Sequence, residues 1–243
     1  MARKQFVPLE SDPLIFTSLL HKLGGSDKLS LVDVLSLDDP DLLAFIPRPV
    51  LGLIFIFPGT EAALANIAAQ ESKSAPYTGA GEAEDIVWFR QTIGNACGLY
   101  ALLHVAANGT AREIAMEPDS TLDRLFHEAI PLDPEGRARV LESSTELEAA
   151  HSASAQQGQS TPPPADVETP FHYIAFSKSY KSGHMYEPAG YVKGPRDLGL
   201  VCGHDEDLLS DNARKVLKEY VEREGEGMGD ISWGFNLMAL VSN

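Results

Sequence analysis

The chain has little cysteine: Cys97 and Cys202 are the only two in 243 residues. Two thiols cannot make the disulfide framework of a small secreted domain, so a reducing compartment is expected. Basic residues are also scarce. Nineteen Lys and Arg stand against 35 Asp and Glu, a net charge of −16. That balance argues against nucleic acid or an anionic membrane as partner, and it favours a basic protein surface, chiefly through the encounter rate. Long apolar runs are missing. The longest, Val50 to Phe57, has eight residues, whereas a spanning helix needs about 20. "MARKQFVPLESDPL" carries basic residues without the apolar stretch of a secretory signal, so a cytoplasmic or nuclear protein is expected. No Cys/His pair has the spacing of zinc ligands, Cys202-Gly203-His204 being too sparse, and neither a metal nor another cofactor is expected.

What is present is an ordinary globular composition, 44% hydrophobic and 22% charged, long enough to bury a substantial core in one domain. "SDPLIFTSLLHKLGG" predicts a helix, capped by Asp12, entered through Pro13 and stopped by Gly24-Gly25, with Phe16, Leu19, Leu20 and Leu23 on one stripe. "PVLGLIFIFP" predicts a strand buried on both faces. "TEAALANIAAQ" reads as a helix, "SKSAPYTGAGEAE" as a surface linker and "IVWF" as a short strand. Helices are expected at "STLDRLFHEA" and from Asp133 to about His151, followed by a long exposed loop through "SASAQQGQSTPPPADVETP". "HYIAF" and "HMYEPAGYV" read as paired strands, "DEDLLSDNARKVLKEYVERE" as an amphipathic helix, and "FNLMALV" as a last buried strand.

Chemistry concentrates in "QTIGNACGLYALLHVAANG". Leu99, Leu102, Leu103 and Ala106 recur at helical spacing, so a helix should begin near Cys97, with Asn95 as a reasonable N-cap. A thiol in a first turn meets unpaired N–H groups and the positive end of the helix dipole, which favour the thiolate. Gly94 keeps the approach free of side-chain bulk, and Gln91 offers an amide donor suited to an oxyanion. On spacing alone, a buried cysteine packed as a small hydrophobe explains the position equally well.

A cysteine nucleophile needs a base, usually a histidine brought near by the fold. Of seven histidines, His104 reads as packed on the cysteine helix, while His21 and His127 lie on solvated helix faces. His151 reads as a cation closing a helix, and His204 sits in "CGHDED". His172 opens a strand directly after the long loop and is the best candidate. Periodicity does not separate it from His184 on the partner strand.

These residues resemble a known family. "QTIGNACG" is similar to the cysteine box of the ubiquitin C-terminal hydrolases, papain-like cysteine deubiquitinases. "FVPLESDP", "LVDVLSLDDPDLLAFIPRPVLGLIFIFP", "STLDRLFHEAIPLDPEGRARVLE", "HYIAF" and "FNLMAL" follow in the family's order, so the likeness runs over nearly the whole chain. The resemblance implies an α/β (α+β) papain-like fold, one catalytic domain over residues 1–243, with a central, mostly antiparallel sheet between helices and a knotted backbone. It implies Cys97 as nucleophile, His172 as general base and acid, and Gln91 as oxyanion donor. A crossover loop over residues 151–168 would restrict the leaving groups on the C-terminal glycine of ubiquitin or a ubiquitin-like protein. Glu10 would lie beside the tail groove, where a solvated N-terminal charge is the equal alternative. A monomer is expected.

One departure stands out. Where the family has "YELDG", this chain has "YEPAG", and Ala189 takes the place of the aspartate that orients the histidine. Glu187 and Asp197 are the nearest carboxylates to substitute for it; Glu187 would share a strand face with position 189. Hydrolysis by Cys97, His172 and Gln91 with a weakened third member is the leading expectation. A Cys–His enzyme redirected to acyl transfer on a small molecule, and a ubiquitin binder that does not cleave, are the alternatives.

Overall fold

Six strands build one sheet in the order β1-β6-β2-β3-β4-β5: β1 (Leu29–Asp33), β2 (Val50–Pro58), β3 (Phe171–Lys178), β4 (Met185–Glu187), β5 (Arg196–Asp197) and β6 (Asn236–Ser242). Each neighbouring pair runs antiparallel. The computed structural model describes residues 3–167, 169–225 and 234–242. Strand β2 sits between β6 and β3 and is buried along nearly its whole length, as its unbroken apolar run requires. Leu53, Phe55 and Phe57 join the core on one face of the sheet, and Ile54 joins the core on the other.

The second of these cores is closed by helices α1 (Pro13–Lys22), α4 (Cys97–Ala106), α6 (Thr121–Ala129), α7 (Pro134–Ser143) and α8 (Thr145–Ala155). The first is covered by α3 (Glu61–Glu71) and α9 (Asp211–Glu224). Two single-turn helices, α2 (Pro40–Ala44) and α5 (Ala111–Ala115), complete the set among the described residues. The caps follow local chemistry: Asp12, Ser120, Asp133, Ser144 and Ser210 each accept a backbone N–H of the helix they open. Among the described residues no helix is long and apolar enough to cross a membrane.

Several expectations change. The segment Asp133 to His151 forms two helices, because Ser144 turns extended (φ −75°, ψ 109°) and its side chain caps Leu147. His151 therefore does not close a helix: α8 continues to Ala155, and the irregular loop starts at 156. Its expected end, Glu168, lies outside the described residues. "IVWF" pairs with no strand. Its backbone is satisfied by side chains instead, Val87 by both amide atoms of Asn108 (2.7 and 2.9 Å) and the Phe89 N–H by His104 Nε2 (3.0 Å). The strand read over "HMYEPAGYV" stops at Glu187, before Pro188. The expected surface linker is anchored, since Glu84 pairs with Arg137, a side chain with no exposure.

Candidate active site

The turn before α4 is built by an N-terminal strap. Phe6 N–H donates to Gly94 O (2.9 Å) and Gly94 N–H to Lys4 O (2.8 Å), and a Cβ at position 94 would collide with Gln5. A larger residue there would push the Gln5 side chain aside. Asn95 is not the N-cap; Ala96 is, and it makes no side-chain cap bond. Asn95 adopts φ +57°, and its Nδ2 donates to Ala165 O and Val167 O, both at 2.9 Å. It thus ties the loop to the cysteine turn. The conformation suits an Asn, which tolerates left-handed backbone better than most residues.

Cys97 is the first residue of α4, as the spacing predicts. Its sulfur is approached by the backbone N–H groups of Tyr173, Gly98 and Cys97 itself, which favour the anion. Burial outweighs them and pushes the thiol's pKa up. This acts against the thiolate that the first-turn dipole favours.

Tyr173 follows His172, so the sulfur lies against the start of β3. His172 pairs with Phe57 across β2 and β3, with ring centroids 5.8 Å apart, and its other aromatic neighbour is Tyr191 at 5.3 Å. A Cβ on Gly59 would come within 2.8 Å of His172 Nε2, so only glycine leaves room for the imidazole. Tyr191 itself lies within reach of the charge that Cys97 would carry. Sulfur, imidazole and phenol form one neighbourhood.

Gln91 lies beside Gly190, the residue before Tyr191. Its backbone N–H donates to Gly190 O (2.7 Å), and its Nε2 donates to Ile93 O (3.0 Å). Ala189 is buried, and its carbonyl accepts from Trp88 Nε1 (2.8 Å). Glu187 does not take over the missing carboxylate's place: its oxygens accept from Tyr220 and pair with Arg196 (3.0 Å), towards α9. Asp197 is held by His184 Nδ1 (2.9 Å). Pro188 breaks the regular strand on which the shared-face expectation for Glu187 depended.

The other histidines are occupied. His104 Nε2 accepts from Phe89, and burial lowers its pKa to about 3. His151 donates from Nε2 to Val7 O (2.7 Å), and burial lowers its pKa to about 4, so it is a neutral packed residue and not a helix-closing cation. His21 bonds Leu29 O, while His127 and His204 pair with Asp123 and Asp205 near the surface. Among the described residues no group of His, Cys, Asp and Glu could hold a metal ion.

A cavity of ≈ 480 Å³ opens beside the sulfur, lined by Leu9, Glu10, Cys97, Pro162, Phe171 and Tyr173 among others. Glu10 lines it, and its carboxylate is engaged: Oε2 accepts from Ser160 N–H (3.1 Å) and Oγ–H (2.8 Å). These bonds hold its pKa below the usual carboxylate value. Glu10 and Asn95 therefore fasten the loop at two points over one cavity. Sequence reasoning missed Tyr191, Gly59 and this second role of Asn95. The Gly-Asn pair before the helix was the available signal for Asn95.

The comparisons agree with this architecture. The family profile described as "Ubiquitin carboxyl-terminal hydrolase, family 1" matches residues 6–222. A ubiquitin carboxyl-terminal hydrolase of Aplysia californica is 30% identical over 225 residues, covering 93% of this chain and 99% of its own. Isozyme L1 of Equus caballus is 34% identical (90% and 93% covered), and hydrolase 3 of Arabidopsis thaliana 33% (98% and 94%). Among solved structures, the Trichinella spiralis UCH37 catalytic domain bound to ubiquitin vinyl methyl ester superposes with a TM-score of 0.73 at 26% identity, covering 100% of this chain and 98% of that one. A first-turn cysteine and an antiparallel sheet flanked by helices thus accompany sequence likeness along almost the whole length, and the chain belongs to the family 1 ubiquitin carboxyl-terminal hydrolases.

Proposed function

We propose that this protein is a thiol-dependent hydrolase that cleaves small or unfolded adducts from the C-terminal glycine of ubiquitin. The observation that carries the reading is the position of Cys97 at the first turn of α4, its sulfur against the start of β3 where His172 stands. In the proposed reaction His172 takes the thiol proton as sulfur attacks the carbonyl carbon. It then returns that proton to the leaving group, and a water completes hydrolysis of the thioester. Gln91 donates to the oxyanion, through its second amide hydrogen or after releasing Ile93 O.

Because burial raises the thiol's pKa, the proposed proton transfer to His172 accompanies the attack step. Ala189 supplies no carboxylate, so the rate is expected to lie below that of relatives with aspartate there. The whole chain acts as one catalytic domain, a monomer with a knotted backbone, its loop from 156 onward serving as the crossover loop that selects thin substrates. The net charge of −16 suits a basic partner surface, and two free thiols suit the cytoplasm or nucleus. Incubation with ubiquitin bearing a C-terminal vinyl methyl ester tests the reading. A covalent adduct on Cys97 by peptide mass is expected, and an unmodified Cys97 with intact probe would refute it.

A further inference from the structure

The imidazole of His172 stands between two aromatic rings. Phe57, its cross-strand partner, lies at a centroid distance of 5.8 Å and 44°, and Tyr191 at 5.3 Å and 47°. A Cβ on Gly59 would fall 2.8 Å from Nε2 of the imidazole. Tyr191 lies two residues beyond Ala189, in the segment that follows β4.

The chemistry of Tyr191 limits what it can offer. Burial and the nearby Glu187 and Glu224 hold the phenol protonated, so it brings neither a base nor a negative charge. Its ring brings an apolar wall and a π face. The wall restricts rotation of the imidazole, and a π face favours the imidazolium over the neutral ring. A cysteine enzyme whose histidine takes the thiol proton needs both effects during that transfer, because the histidine must be in place before it becomes charged.

We propose that Tyr191 is the positioning residue for His172, its ring and that of Phe57 clamping the imidazole beside Cys97. The proposal rests on the reading of Cys97 and His172 as the reacting pair. It concerns the aromatic ring, so the hydroxyl should matter little.

The test compares Tyr191→Phe, Tyr191→Leu and Tyr191→Leu with Ala189→Asp. Two readouts are used: release of a fluorophore from the C-terminus of ubiquitin, and alkylation of Cys97 by iodoacetamide followed by peptide mass. Tyr191→Phe should stay within about twofold of wild type, and Tyr191→Leu should lose on the order of tenfold in kcat with KM unchanged. Alkylation at neutral pH should slow in parallel, and Ala189→Asp should recover part of the loss. Equal losses in the Phe and Leu variants, a loss confined to KM, or no recovery by aspartate would overturn the proposal.

A second measurement needs no core substitution. The His172 ring protons of the wild-type protein should be shifted upfield of their random-coil positions by the two flanking rings, and random-coil positions would overturn the clamp. If the wild-type protein releases no fluorophore, the hydrolase reading fails by itself. Alkylation and ring-proton shifts then still decide the role of Tyr191.

Discussion

Two neighbouring strands each present a histidine near their first residue, and the two differ in what surrounds that ring. His184, just before β4, has a carboxylate on Nδ1, Asp197 at 2.9 Å, with Tyr186 stacked beside it. His172, at the start of β3, has Phe57 and Tyr191 as ring neighbours and the Cys97 sulfur against the next residue's N–H. A search for an imidazole oriented by an aspartate would select His184. His172 stands one residue before Tyr173, whose N–H approaches the Cys97 sulfur beneath the fastened loop. In the proposed function that place counts for more in choosing the base than an aspartate on the ring.

The contrast is most easily broken at the base. His172→Ala should lower single-turnover fluorophore release by about 10²–10⁴-fold, the usual worth of a positioned acid–base group; a loss below tenfold would reassign the base. Restoring a carboxylate should sharpen the contrast in the opposite direction. Ala189→Asp is expected to raise kcat by on the order of tenfold, less than the about 10⁴ that a triad aspartate is worth to a serine enzyme. No gain would mean that the aromatic clamp already completes the histidine's orientation.

The loop over Cys97 gives a third contrast, read by pH. The Glu10 carboxylate has its pKa lowered in the fold by the two Ser160 bonds and a Gln159 bond. A depressed carboxylate pKa contributes stability that is present above the unfolded value of 4.5 and is lost as pH falls through the folded value. Amide exchange protection at Ser160 should therefore fade below 4.5 in the wild-type protein and be weak throughout in Glu10→Gln. Protection that ignores both changes would remove the latch. The smallest effect belongs to the other histidine: His184→Ala should change kcat by less than about twofold, since a part-exposed ion pair contributes about 0–1 kcal/mol. A large fall would show that the roles of His172 and His184 are the reverse of those assigned.

Most of the sheet was legible, because its central strands are long apolar runs with few competing explanations: β2, β3 and β6 fall where the pattern of Val, Ile, Leu and Phe puts them. The short elements were not. Strand β5 has two residues and helices α2 and α5 five each, too few for any period to register. "IVWF" misled because its burial is real while its hydrogen bonds go to Asn108 and His104, side chains far along the sequence. At the site, the flanks of Cys97 marked a first-turn residue, while spacing alone left a packed cysteine equally good and did not separate His172 from His184. Tyr191 was not legible, because it lies past the end of β4, where no strand register points to its partner. The upward pull of burial on the Cys97 pKa was not legible either, because no local motif encodes burial.

One measurement bears most directly on the central claim. With enzyme in excess over ubiquitin carrying a C-terminal fluorophore, a single turnover should release the dye in full from the wild-type protein and not at all from Cys97→Ser. Ubiquitin left uncleaved by micromolar wild-type enzyme, or cleaved equally by both proteins, would contradict the assignment of Cys97 as the nucleophile.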